Sequence, residues 1–327
     1  MATTSHTNSV RSRWRPRWMV VCASAALLLA GGMQPAGAAP EPTVSAAPEP
    51  TVSAALPPGY EIVETTHNVT LNPGESFSTF NSCSGGNFIL SGGASLSLEP
   101  SGGGAPSLVT SGPSNPPSTS WLVIYGNPGA AAVTFAVRVT AVCASIQSSL
   151  HYQIASSGTA DLLPNTQTQL AAPCPANTNI IGGGVTTGSA VGGLALLANS
   201  SHGAGWAGLF VNAGNTTVFS FAYRVTAICV DSSVPGFNTI RQQLATVDVA
   251  PGTNTIIPPL QCSASPVSGG IIIWNVTPSD VAPKLTVAED GPIPPSGVGQ
   301  TSWRFRLVNY GTSSLRVQYL VSLTCVS

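Results

Sequence analysis

Three copies of one pattern, Trp-x5-Asn-x-Gly followed by a strand that closes on Cys, run along this chain: Trp121, Asn127, Gly129 and Cys143; Trp206, Asn212, Gly214 and Cys229; Trp303, Asn309, Gly311 and Cys325. The step from Trp to Asn is 6 residues in every copy and the step from Trp to Cys is 22, 23 and 22. Such regularity marks a structural unit repeated in tandem. It constrains architecture much more than chemistry. Each copy also carries one earlier cysteine, Cys83, Cys174 or Cys262. Of the many pairings six cysteines allow, the repeat makes one bridge per unit the simplest: Cys83 with Cys143, Cys174 with Cys229 and Cys262 with Cys325. Each bridge would close a loop of 60, 55 or 63 residues, worth ~4 kcal/mol in the chain-entropy account.

The compartment follows from the N-terminus. Arg11, Arg13, Arg15 and Arg17 precede an apolar run from Met19 to Ala30 and a small-residue site at Ala36-Gly37-Ala38, the layout of a signal peptide over residues 1–38. Export places the thiols in an oxidising space, where disulfides form and persist. Residues 39–58 repeat Ala-Pro-Glu-Pro-Thr-Val-Ser-Ala and read as an extended, disordered Pro/Ala-rich linker. The expected location is extracellular, either free or held at the cell envelope, with no insertion in the membrane after cleavage.

Beyond residue 38 the chain holds seven basic and twelve acidic residues, a net of −5. Nucleic-acid binding is disfavoured, because neutralising phosphates takes clustered Lys and Arg. Charged residues make up 7% of the whole chain, against about 25% in ordinary soluble domains. With abundant Gly, Ser, Thr, Val and Pro, this composition suits an all-β extracellular protein.

Strand signals repeat with the units. Turns are expected at Pro73-Gly74, Pro164-Asn165 and Pro251-Gly252, where Pro presets φ and Gly or Asn tolerates the left-handed region. Gly92-Gly93, Gly182-Gly183-Gly184 and Gly269-Gly270 suggest bulges or close backbone approaches inside a sheet. Val133, Phe135, Val137, Val139, Ala141 and Cys143 share one parity, as do Leu315, Val317, Tyr319, Val321, Leu323 and Cys325. A period of two puts each Cys on the apolar face, so the disulfides should be buried. Trp303, Phe305 and Leu307 alternate with Arg304 and Arg306, which turns the motif Trp inward as well. The Asn-x-Gly segments at Asn127, Asn212 and Asn309 are expected as hairpin loops supplying a residue for φ > 0.

An inward Trp beside a disulfide that joins two sheets is similar in architecture to immunoglobulin-like sandwiches, which share the order Cys, Trp, Cys. The steps from first Cys to Trp, 38, 32 and 41 residues, depart from that family, and Ala141, Ala227 and Leu323 stand where its corner Tyr would be. The resemblance carries no function. The expected architecture is three tandem antiparallel β-sandwich repeats, Ig-like or jelly-roll-like, over residues 59–145, 146–232 and 233–327.

Catalytic groups are scarce. His67, His151 and His202 occupy different places in their units, and no Gly-x-Ser-x-Gly elbow occurs. His202 beside Ser200 and Ser201 is the best candidate base, yet a loop His without a positioned carboxylate reads as solvated. Asp280, Lys284, Glu289 and Asp290 read as a solvated turn, with Glu289 and Asp290 on opposite faces if they lie on a strand. No Cys-x2-Cys or recurrent His offset supports a metal site, and no cofactor motif is present. Asn68, Asn199, Asn215 and Asn275 sit in Asn-x-Ser/Thr sequons that matter only in a glycosylating host.

Binding is the better functional expectation. Trp274, in Ile271-Ile272-Ile273-Trp274-Asn275, lies outside the repeated pattern, and Tyr125 and Tyr310 lie near strand ends. An aromatic plate flanked by amides and hydroxyls suits a saccharide, although the apolar run around Trp274 favours a core position for it. The leading expectation is a secreted, non-catalytic structural or adhesive protein. A lectin-like protein that binds cell-wall or extracellular polysaccharide is the first alternative; a secreted hydrolase or protease inhibitor is the second.

Overall fold

The computed structural model describes residues 58–325 apart from 103, 105, 115–118, 146–151, 159–160, 165, 188–193, 213–222, 235–236, 238, 263–264, 278–283 and 294–301. The signal-peptide and linker segments therefore lie outside the described residues, as do Gly214, Asn215, Asn165, His151 and Asp280. The described chain is all β, with eighteen strands in three six-stranded sheets whose pairings are antiparallel.

Repeat 1 supplies β1 (Glu61–Leu71), β2 (Ser76–Ser82), β3 (Phe88–Gly102), β4 (Ser107–Pro113), β5 (Ser120–Gly126) and β6 (Val133–Ala144). Repeat 2 supplies β7 (Gln153–Ser156), β8 (Thr166–Pro173), β9 (Thr178–Thr187), β10 (Leu194–His202), β11 (Gly205–Asn212) and β12 (Tyr223–Asp231). Repeat 3 supplies β13 (Thr239–Val249), β14 (Asn254–Gln261), β15 (Pro266–Thr277), β16 (Leu285–Pro292), β17 (Ser302–Asn309) and β18 (Leu315–Cys325). Sheet I runs β1-β6-β3-β16-β17-β14, sheet II runs β2-β5-β4-β9-β12-β7, and sheet III runs β13-β18-β15-β10-β11-β8.

The repeats are not three separate sandwiches. Within a repeat, strands 1, 6 and 3 form one half-sheet and strands 2, 5 and 4 another, and the disulfide joins the two. Each half-sheet then continues, strand against strand, into a half-sheet of a different repeat: β4 pairs with β9, β10 with β15 and β16 with β3. The order is cyclic, so the last repeat closes on the first.

The glycine clusters explain why this can happen. A Cβ on Gly92, Gly183 or Gly269 would lie 2.4–2.5 Å from ring carbons of Trp121, Trp206 or Trp303, so each of these glycines seats the Trp of its own repeat flat on the sheet. The next residue faces another repeat. A Cβ on Gly93 would lie 2.1 Å from the Asp290 carbonyl oxygen, one on Gly184 2.4 Å from Gly112 Cα, and one on Gly270 2.4 Å from the Asn199 carbonyl oxygen. Only a residue without Cβ lets the fourth strand of the neighbouring repeat come this close.

The three disulfides are Cys83–Cys143, Cys174–Cys229 and Cys262–Cys325, with Cα separations of 5.8, 5.9 and 5.6 Å. The apolar parity of β6 is buried as expected, with Val133, Phe135, Val137, Val139, Ala141 and Cys143 closed to solvent; on the other parity Thr134 is exposed and Arg138 half-buried, while Ala136, Thr140 and Val142 are covered as well. Replacing Cys83 and Cys143 together by Ala is expected to lower stability by about 2–5 kcal/mol. A denaturant titration of the variant beside the parent measures it.

Two local expectations are corrected. The Asn-x-Gly segments are not hairpin loops, because β5 lies in sheet II and β6 in sheet I, and β17 and β18 likewise lie in different sheets. Nor do Asn127, Gly129, Asn309 or Gly311 take positive φ. Instead the buried Asn side chains tie the crossing down: Asn127 Nδ2 donates to the carbonyls of Leu71 and Ala131, and its Oδ1 accepts from Gly129 N–H. Asn309 does the same with Val249, Ser313 and Gly311, and Asn212 Nδ2 donates to the Leu162 carbonyl. The Pro-Gly turns do use the left-handed region, with φ of 78° at Gly74 and 64° at Gly252. The strands on either side of them also go to different sheets.

Candidate binding site

Two features of the sheets bear on function, a buried polar centre and an exposed groove. At the centre, each motif Trp donates its indole N–H to a residue on the fourth strand of its own repeat. Trp121 donates to Ser111 Oγ (3.1 Å), Trp206 to Asn199 Oδ1 (2.7 Å) and Trp303 to Asp290 Oδ1 (2.8 Å). Asn199 Nδ2 donates in turn to Asp290 Oδ2 (2.7 Å) and to the Ser111 carbonyl (3.5 Å), so the three acceptors meet. Burial, opposed in part by the bonds from Trp303 and Asn199, raises the Asp290 carboxyl from 3.8 to about 7. These groups are closed to solvent. They build the core and have no access to a ligand.

The expectation of a solvated turn at Glu289 and Asp290 is corrected: both are buried in β16. They do point to opposite faces. Asp290 meets Trp303, whereas Glu289 accepts from Arg304 Nη2 (2.9 Å), from Arg306 Nε (3.0 Å) and from the Leu96 backbone N–H on the outer face of sheet I. A carboxylate left in such a place needs these partners, because an isolated buried charge is prohibitively costly.

The groove lies on the outer face of sheet III. It encloses about 810 Å³ and is lined from β8, β10, β11 and β15, with Gln167, Gln169, Leu209, His202, Trp274 and Asn275 among its walls. The apolar run in β15 is buried as far as Ile273, but Trp274 is 65% exposed, contrary to the core position expected for it. The reason is its place in the strand: Ile273 packs inward opposite Tyr319, so by alternation Trp274 faces outward on the side of Ile272. Register between β15 and β18 then shifts between Ile273, opposite Tyr319, and Asn275, opposite Gln318. This bulge keeps Asn275 exposed beside Trp274 before Val276 turns inward again. In sheet I the position five residues after the Trp-seating glycine is Ser97, also at a bulge, and its hydroxyl donates to the Ala136 carbonyl.

The other aromatic candidates do not join this face. Tyr125 is fully buried, and its hydroxyl donates to the Ala288 carbonyl at 2.7 Å; burial holds the phenol well above its ordinary pKa. Tyr310 is half-buried in another loop, with Lys284 Nζ 5.7 Å from its ring centroid. Trp121, Trp206 and Trp303 are buried.

His202 does sit at the groove, but the serines beside it are committed elsewhere. Ser200 Oγ and Ser201 Oγ are buried against Ser322 Oγ at 2.7 and 3.1 Å. No nucleophile–base–carboxylate chain runs through His202 among the described residues, and none of their His, Cys, Asp or Glu side chains form a group able to hold a metal ion. Of the sequons, Asn68 and Asn275 are exposed, while Asn199 is buried with its amide engaged at the centre.

What the sequence could not reveal here is the acceptor set of the Trp residues. Ser111, Asn199 and Asp290 stand 10, 7 and 13 residues before their Trp, an offset that changes from copy to copy because the connection between the fourth and fifth strands differs in length. The bulge at Trp274 was equally hidden, since its register depends on the partner strand. The chain matches no protein-family model and no curated protein, so what the groove does rests on its own residues.

Proposed function

We propose that this chain is a secreted, non-catalytic adhesive protein that holds a carbohydrate through the groove on sheet III. The observation that carries the reading is Trp274, an indole 65% exposed at the mouth of a groove whose other walls are amides, aliphatic side chains and the imidazole of His202. A sugar ring has an apolar face that an indole plate can cover and a hydroxyl edge that Gln167, Gln169 and Asn275 can bond. Export agrees with the basic and apolar N-terminus and with three disulfides. The buried triad of motif Trp residues and the disulfides serve as the scaffold in this account, and the groove serves as the site.

A hydrolase centred on His202 is disfavoured by the engagement of Ser200 and Ser201 with Ser322. A protease-inhibitor reading has no residue in its favour.

The test is a glycan and cell-wall polymer array probed with the parent protein and with Trp274→Ala. Binding by the parent that falls at least tenfold in the variant, with the melting temperature kept, is the expected outcome. The exposed position of Trp274 is why stability should be preserved. Equal binding by both proteins would remove the groove from the account.

A further inference from the structure

The groove is one part of a longer feature. Across sheet III the residues Leu244, Leu320, Ile272, Ala198, Leu209 and Gln169 stand opposite one another, one from each of the six strands. Five of the six are apolar. Leu244, on the edge strand β13, is 70% exposed, and Leu320 and Leu209 are partly exposed. On β13 and β18 the same-face neighbours of this row are polar, with Gln242 and Thr246 beside Leu244 and Gln318 and Ser322 beside Leu320, whereas on β11 Ala207 and Val211 flank Leu209 and on β15 Trp274 follows Ile272. The apolar stripe thus runs across the strands, and at about 4.8 Å per strand it spans roughly 24 Å.

The other two sheets show what the same row looks like elsewhere. In sheet I it reads Thr66, Arg138, Ser95, Glu289, Arg306 and Ile256. In sheet II it includes Arg224, Thr186, Thr110, Ile124 and Ser78. Where repeats 1 and 2 place Arg138 and Arg224, repeat 3 has Leu320; where repeat 3 places Arg306, repeat 2 has Leu209. The repeated framework carries charge at these positions in two sheets and none in the third. No Lys, Arg, Asp or Glu lines the groove either.

From this stripe, and resting on the carbohydrate reading above, we infer that the ligand is an extended, neutral polysaccharide lying across the strands of sheet III from Gln169 to Leu244. A monosaccharide would fill only the region of Trp274. A chain of β-linked neutral sugars presents a succession of apolar faces with hydroxyls along both edges, which matches an uncharged stripe bordered by amides and hydroxyls. An anionic polymer finds no cation in the row.

The experiment is a set of binding isotherms for cello-oligosaccharides and chito-oligosaccharides of increasing length, with the parent, Leu244→Ser, Leu320→Arg and Trp274→Ala. Affinity that climbs with length in the parent is expected. Leu244→Ser should then weaken the longest oligomers about tenfold and leave the shortest unchanged, the loss of one apolar contact of leucine size. Leu320→Arg, which writes into sheet III the residue found in the other two, should also act only on long oligomers. Binding that depends on Trp274 but not on length, Leu244 or Leu320 would overturn the extended ligand while leaving the groove. Absence of binding to both series by the parent, or preference for an anionic polymer, would overturn the inference as well.

Discussion

Gly93→Ala is expected to cost about 4 kcal/mol or more, a large share of the 5–15 kcal/mol that typically separates folded from unfolded domains. The added Cβ would lie 2.1 Å from the Asp290 carbonyl oxygen and 2.5 Å from Gly291 Cα. Both are backbone atoms of β16, so no rotamer change relieves the clash, and strands β3 and β16 must part at the place where repeat 3 closes on repeat 1. Gly74→Ala is the matching control. Its φ of 78° carries the left-handed penalty, but nothing lies within 4 Å of the added atom, and the expected loss is about 1–2 kcal/mol. Thermal and denaturant unfolding of the two variants separate a steric joint from a conformational preference. A loss below that of Gly74→Ala would mean that β3 and β16 are not in contact at Gly93.

The second large effect is a dependence of stability on pH that the composition would not suggest. Asp290 titrates at about 7 in the folded protein instead of 3.8, chiefly because burial penalises its charge. A carboxyl with a raised folded pKa favours folding in its protonated form. Its contribution is fully present below about pH 4 and is lost as pH rises to about 7, at about 1.4 kcal/mol per pH unit and roughly 4 kcal/mol in all. Asp290→Asn should flatten that slope, because the side chain no longer titrates; its Oδ1 can still accept from the indole of Trp303, while its Nδ2 faces Asn199 Nδ2 and lowers stability by an amount that does not vary with pH. The difference between parent and variant, followed by urea denaturation from pH 4.5 to 8, cancels the carboxylates the two share, including Glu61, which the Ser84 and Asn87 hydrogen bonds hold below its usual range. Parallel curves for the two proteins would contradict a buried, titrating Asp290.

The sequence announced the strands well and their partners poorly. The period-2 runs ending at Cys143 and Cys325 gave β6 and β18 with their buried faces, and the repeat singled out the three disulfides. The glycine clusters were legible as close approaches, because a strand interior rarely omits a side chain without cause. Which backbone approaches Gly93, Gly184 or Gly270 was not legible, since pairing across repeats leaves no local periodicity. For the same reason Asn127 and Asn309 looked like hairpin residues: a crossing between sheets and a hairpin use similar short polar segments, and only the destination of the next strand tells them apart.

The site was legible in part. Trp274 was visible as the aromatic that breaks the repeat, yet its apolar neighbours Ile271, Ile272 and Ile273 argued for burial. Three consecutive apolar residues suit a strand covered on both faces, and nothing in the sequence shows that the face shared by Ile272 and Trp274 is left open at Trp274. Tyr125 misled in the opposite direction, since a strand-end Tyr looks accessible until a neighbouring repeat covers it and takes its hydroxyl at Ala288. The uncharged row across sheet III could not be assembled from the sequence at all, because its six members come from two repeats and are scattered from Gln169 to Leu320.

Acrylamide quenching of tryptophan emission, compared between the parent and Trp274→Phe, reports directly whether the Trp274 indole faces solvent in the groove. The chain has six Trp residues, and subtracting one protein from the other leaves Trp274 alone. The expected difference spectrum is red-shifted, readily quenched, and protected when a bound oligosaccharide covers the indole. A blue-shifted difference spectrum that acrylamide does not touch would put Trp274 in the core and contradict the groove as a binding site.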